Sequence, residues 1–115
     1  MKPVRIVLSR RAGFDLQAIS HAINGLPAQS VARPGKWGNP FTIADVAAEL
    51  GVDKDKAQAE AIARYRRWIK GDLRIEQVPP SRESIRAELA GKNLACWCRA
   101  GSPCHVDTLL RLANE

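Results

Sequence analysis

Leu94-Ala95-Cys96-Trp97-Cys98-Arg99-Ala100-Gly101-Ser102-Pro103-Cys104-His105 decides how this chain is read. Leu94 to Cys98 is an apolar run of strand length, and Arg99 to Gly101 is turn chemistry. Ser102-Pro103 pairs a helix N-cap with proline at the first helical position. The stretch therefore predicts strand, tight turn and helix in direct succession, with Cys104 and His105 in the first helical turn. Backbone N–H groups there lack intrahelical partners and favour an anion or a thiolate. All three cysteines of the chain fall in these twelve residues.

Working outward, Val4, Ile6 and Leu8 alternate with Arg5, Val7 and Ser9, which predicts a strand with one apolar face. Asp15 is placed to cap a helix carrying Leu16, Ile19, Ala22 and Ile23 at helical spacing, stopped by Asn24-Gly25. Gln29 to Ala32 reads as a second strand. Arg33-Pro34-Gly35-Lys36-Trp37-Gly38-Asn39-Pro40-Phe41 holds too many prolines and glycines for a regular element and reads as a shaped loop. Thr42 caps a brief helix to Leu50, and Asp53 caps a longer one to about Lys70. Ser81 caps another helix, which buries Ile85 and Leu89. On the longer helix Ala61, Ile62, Tyr65, Trp68 and Ile69 form the inward stripe, leaving Arg64, Arg66, Arg67 and Lys70 outside. The last helix is expected to bury Val106, Leu109, Leu110 and Ala113. Strands interleaved with helices imply a parallel sheet, because parallel neighbours need crossover connections. The expectation is one α/β domain over residues 1–115, a mainly parallel sheet of few strands flanked by helices, Rossmann-like in plan.

At 115 residues the chain is long enough for one core without staples. No apolar run approaches a membrane span, and Met1-Lys2-Pro3 leads into a strand pattern and not a signal-peptide core, so a cytoplasmic, non-membrane protein is expected. Three clustered cysteines do not resemble a secreted disulfide framework, which turns attention to thiol or metal chemistry. Eighteen Lys and Arg against twelve Asp and Glu give a net charge of +6. That favours anionic partners, namely a phosphorylated or nucleotide-like small molecule, with nucleic acid as the alternative.

In open parallel sheets ligands gather at the carboxyl ends of strands. Both unusual segments lie there in this reading, and if their strands are neighbours they share one site. In the loop, Trp37 is suited to stack on a base and Asn39 to bond its edge. Arg33 or Lys36 can pair a phosphate, and Gly38 lets backbone come close. The alternative is a rigid turn stapled by Trp37 and Phe41. In the turn, Ser102 and the helix start hold charge. Cys104 is the expected nucleophile, Cys98 its neighbouring thiol, His105 the acid or base, and Asp107 the group that orients a donor. Trp97 is expected to face away from the cysteines and pack on a helix.

A competing reading makes Cys96, Cys98, Cys104 and His105 a metal set. Zinc or an iron–sulfur cluster is admitted but not favoured, because Cys-x-Cys is a poor knuckle and helical neighbours such as Cys104 and His105 diverge by about 100°. The bland reading leaves the cysteines as small buried hydrophobes.

Arg33-Pro34-x-x-Trp37-Gly38-Asn39-Pro40-Phe41, Gly91-Lys92-x-Leu94-x-Cys96-Trp97-Cys98 and Pro103-Cys104-His105-x-Asp107-x-Leu109 together resemble a family of small bacterial and phage proteins, domain of unknown function 4326. The resemblance runs from the first strand to Asn114 and implies a residue pattern with no established reaction. The function expected is binding of a nucleotide-like or phosphorylated ligand at a Cys/His-lined site, with enzymatic action on it as the leading form. The alternatives are a metal-stabilised nucleic-acid-binding module and a non-catalytic protein that sequesters a nucleotide. A domain this small also leaves room for a homodimer.

Overall fold

Three short strands, β1 (Arg5–Val7), β2 (Ala28–Ser30) and β3 (Asn93–Cys96), form a parallel sheet in the order β1-β3-β2. The computed structural model describes residues 2–33, 35–99 and 101–115; Met1, Pro34 of the loop and Ala100 of the turn lie outside them. Around the sheet stand α1 (Leu16–Asn24), α2 (Ile43–Leu50), α3 (Lys54–Lys70), α4 (Arg82–Leu89) and α5 (His105–Asn114). The protein is a small mixed α/β domain. No helix among the described residues is long and apolar enough to cross a membrane.

The last strand in sequence is the central one, and its two-residue alternation sorts the core into two layers. Leu94 and Cys96 join Val31, Tyr65, Trp68, Leu89, Val106 and Leu109 on the side of α3, α4 and α5. Ala95 joins Ile6 and Ala28 beneath Leu16 and Ile19 of α1. Asn93 points to the same side as Ala95 and is fully buried, but every polar atom is satisfied. Its Oδ1 accepts from Val4 N and Asn24 Nδ2, and its Nδ2 donates to Ser20 Oγ and Asn24 Oδ1. That network corrects the expected face of α1. Ser20 and Asn24 are the residues that meet the sheet at its far end, so Ala22 is exposed and Ile23 is half exposed.

The capping expectations for the helices hold up to the last one. The side chains of Asp15, Thr42, Asp53 and Ser81 each accept from the backbone N–H three residues on. Gly71 ends α3 at φ 87°, a left-handed conformation that favours glycine. On α3 the stripe is Ala57, Ala61, Tyr65 and Trp68, with Ile62 and Ile69 partly buried. On α5, Leu112 is buried where Leu110 was expected.

Two boundaries depart from expectation. β2 is Ala28–Ser30 and not Gln29–Ala32. β3 ends at Cys96 and not Cys98, because its neighbours run out: Leu8 N donates to Cys96 O and Val31 N to Ala95 O, and beyond them the chain bends at Trp97 and Cys98.

Candidate functional site

Because the strands are parallel, the segments that follow all three emerge at one edge of the sheet. A cavity of about 300 Å³ opens there. Arg10, after β1, and Ala32 and Arg33, after β2, line it. Asn39 and Phe41 come from the loop, and Gln58, Ala61 and Ile62 from α3. Ile43 of α2, Cys96, Trp97 and Cys98 at the end of β3, and Pro103 and His105 at the start of α5 complete it. The Arg33–Phe41 loop and the cysteine turn thus meet in one place, as the adjacency of β2 and β3 requires.

The three sulfurs converge within 4.8 Å of one another. All three thiols are free; Cys96 and Cys104 are buried and Cys98 is partly so. Cys96 arrives on β3, and the bend after it swings Cys98 to the same side. Cys104 arrives as the extended N-cap of α5, at φ −151°, with its Sγ 3.0 Å from Cys96 Sγ. The expected cap is therefore corrected. Ser102 does not cap α5 but donates its hydroxyl to Arg99 O, and the helix begins at His105. The 100° divergence between helical neighbours does not apply to Cys104, which is outside the helix. Arg5 closes the turn from below, donating to Ser102 O at 2.8 Å and Arg99 O at 3.1 Å, with Asp107 3.6 Å from its guanidinium. Asp107 thus faces a side chain of β1 and not a donor of its own turn.

His105 is buried, and its Nε2 donates to Val31 O at 2.8 Å. The carbonyl can only accept, so the proton sits on Nε2 and the Nδ1 lone pair faces Cys104 Sγ at 3.7 Å. Burial lowers the His105 pKa from its ordinary value. Among the thiols, the contacts with Cys104 and Cys96 hold Cys98 well below the ordinary range, helped by the charge of Arg5. The same contacts, with burial, push Cys104 up. Cys98 is the sulfur that is both partly exposed and on the cavity wall. Cys104 is buried beneath it and does not line the cavity.

The loop residues divide differently from expectation. Trp37 is buried in the core, with its carbonyl accepting from Tyr65 Oη at 2.9 Å, and it offers no open face to a base. Lys36 pairs with Glu88 at 2.6 Å and lies over the Trp37 ring, away from the cavity. Asn39 lines the cavity, but its amide is committed: Nδ2 donates to Ala61 O and Oδ1 accepts from Phe41 N. A Cβ at Gly38 would stand 2.6 Å from Arg33 Cγ and 3.1 Å from Arg33 Cα, so the glycine admits Arg33 and not a ligand. Arg33 itself is exposed at the cavity and donates to Asn39 O.

Trp97 reverses expectation the other way. It is 48% exposed and does not pack on a helix; the Arg10 guanidinium lies 4.7 Å from its ring centroid at the cavity wall. Sequence reading missed this pair. Its only signal is position, since both residues follow strands that end at the same edge. On α3, Arg64 is neutralised by Glu49 and Glu60, while Arg66 and Arg67 remain exposed.

Residues 20–115 match the family model described as Domain of unknown function (DUF4326), and the chain belongs to that family. The matched stretch begins within α1, so β1 with its Arg5, and Arg10 after it, precede the match. No curated protein and no solved structure matches the chain.

Proposed function

We propose that this member of the family binds a nucleotide-like, phosphorylated small molecule in the cleft at the carboxyl edge of the sheet and presents it to the sulfur cluster. The observation that carries this is the make-up of the cavity. Two exposed arginines, Arg10 and Arg33, and one half-exposed aromatic ring, Trp97 with Arg10 over it, stand around a floor made by Cys96, Cys98 and His105. Arginines pair phosphate oxygens through two parallel donors, and an indole face stacks on any base. About 300 Å³ is at the small end of ligand pockets, which run from roughly 300 to 1,000 Å³, so one mononucleotide or sugar phosphate fits better than a dinucleotide.

We read the sheet as a reduced Rossmann-like layer, in which the edge beyond the strands is the place for such a ligand. The base contact passes from Trp37 to Trp97, and the phosphate contact rests on Arg33 and Arg10 and not on Lys36. Cys98 is the side chain placed to meet the ligand's reactive end. A reducing cytoplasm suits both free thiols and this ligand class.

Calorimetric titration with AMP, ADP, ATP and inorganic phosphate tests the reading. A nucleotide is expected to bind more tightly than about 1 mM and more tightly than phosphate alone, with Arg33→Ala and Trp97→Ala each weakening it. Failure of all three nucleotides to bind, or wild-type affinity in both variants, refutes it.

A further inference from the structure

We infer that Cys96, Cys98 and Cys104 form a zinc site of three thiolates whose fourth position opens into the cleft. This says what the sulfur cluster holds and does not depend on nucleotide binding.

Three separate elements are needed to bring the sulfurs together. The end of β3, a bend and the cap of α5 each supply one, and Arg5 spends two hydrogen bonds holding the connecting turn closed. Small buried hydrophobes require no such convergence on a cleft wall. A single tetrahedral zinc, with Zn–S near 2.3 Å, sets its sulfurs about 3.8 Å apart. Sulfurs mutually within 4.8 Å meet that demand after side-chain rotation that opens the Cys96–Cys104 pair from 3.0 Å. A multi-iron cluster binds its cysteines through different irons and needs a wider set. Thiolate-rich tetrahedral donors select zinc among the common divalent ions.

His105 packs beside the set. Its Nε2–H is fixed on Val31 O, and its ring packs edge-on against Tyr65, with centroids 5.1 Å apart. It stands 3.7 Å from Cys104 Sγ but outside the mutual sulfur cluster, and no fourth ligand completes that cluster among the described residues. Cys96 and Cys98 both line the cavity, so the vacant coordination direction faces it. Three protein ligands with one open position is the architecture of zinc that acts on a bound molecule, whereas structural zinc is closed by four. Three thiolates around Zn²⁺ leave one net negative charge, which Arg5 below and Arg33 at the cavity oppose.

The test uses the full chain, reduced and stripped with a chelator. Zinc titration against a chromophoric competitor is expected to show one tight equivalent, and cobalt substitution a thiolate-to-cobalt charge-transfer band with tetrahedral d–d bands. Cys98→Ser, at the half-buried position where the fold is least at risk, should weaken zinc by more than the ~10–100-fold that loss of a supporting hydrogen bond costs, and should diminish the charge-transfer band. Azide added to the cobalt protein should shift the d–d bands. Absence of stoichiometric zinc, or wild-type affinity in Cys98→Ser, overturns the site; a spectrum indifferent to azide overturns the open position. None of these readouts contains a nucleotide, so failure of the ligand reading is recorded separately.

Discussion

Asn39 offers the sharpest separation between a residue that touches ligand and one that builds the wall a ligand touches. Its side chain is buried and bridges Ala61 O at 3.1 Å and Phe41 N at 2.8 Å, tying the loop to α3. Asn39→Ala removes one neutral hydrogen bond, worth about 1 kcal/mol, and strands the partly buried Phe41 N–H at about 1–3 kcal/mol. Ala61 O keeps its place in the α3 ladder, so the expected loss is about 2–4 kcal/mol. Unfolding entropy near 2.1 cal/mol/K per residue amounts to about 0.24 kcal/mol/K for this length, which converts the loss to roughly 8–17 °C in Tm. Asn39→Asp should lose more, because it sets a carboxylate oxygen against Ala61 O in a buried position. Thermal and urea unfolding of both variants, with coincident near- and far-UV transitions, measures this. Melting of both within about 2 °C of wild type refutes the reasoning and returns Asn39 to direct ligand recognition.

Gly38→Ala is expected to cost about 1–3 kcal/mol by urea midpoint, since the new Cβ meets Arg33 backbone; an unchanged midpoint shows that the loop yields. Arg5→Ala should destabilise clearly, because two carbonyls of the cysteine turn lose their donor, whereas Asp107→Asn should change stability by under ~1 kcal/mol, its carboxylate being 64% exposed. Equal losses in the two would show that the ion pair, and not the carbonyl contacts, holds the turn. For chelator-treated protein, His105 contributes a pH dependence of known sign. Its folded pKa lies below 6.5, so the unfolded state binds more protons and stability, full above about 6.5, falls as pH drops through the folded value. His105→Gln should flatten that slope in acid-side urea titrations, and an undiminished slope assigns it elsewhere. Trp97→Phe should remove most acrylamide-quenchable fluorescence while leaving stability within ~0.5 kcal/mol, because Trp37 and Trp68 are buried. Retained quenching contradicts the exposed face.

Local chemistry was legible wherever neighbours in sequence are neighbours in space. Asp15, Thr42, Asp53 and Ser81 cap helices through contacts three residues away, and a parallel sheet follows from strands separated by helices. The two segments that build the cleft could be picked out by composition alone. Which side chains face it could not. Trp37 and Trp97 stand in equally suggestive motifs, yet one fills the core under Tyr65 and the other lies open beneath Arg10. The difference is set by where β3 loses its partners and by what α3 leaves uncovered, neither of which has a local signal. Ser102 looked like a cap because serine before proline usually is one; the turn that Arg5 closes moves the cap to Cys104. Sequence by itself determined the element order, the starts of α1 to α4 and the cysteine-bearing turn, because these depend on backbone hydrogen bonds over a few residues. Only the tertiary structure decided that three sulfurs meet at one wall of one cleft, because that convergence depends on the position of β3 between β1 and β2 and on a clamp 97 residues away in the chain.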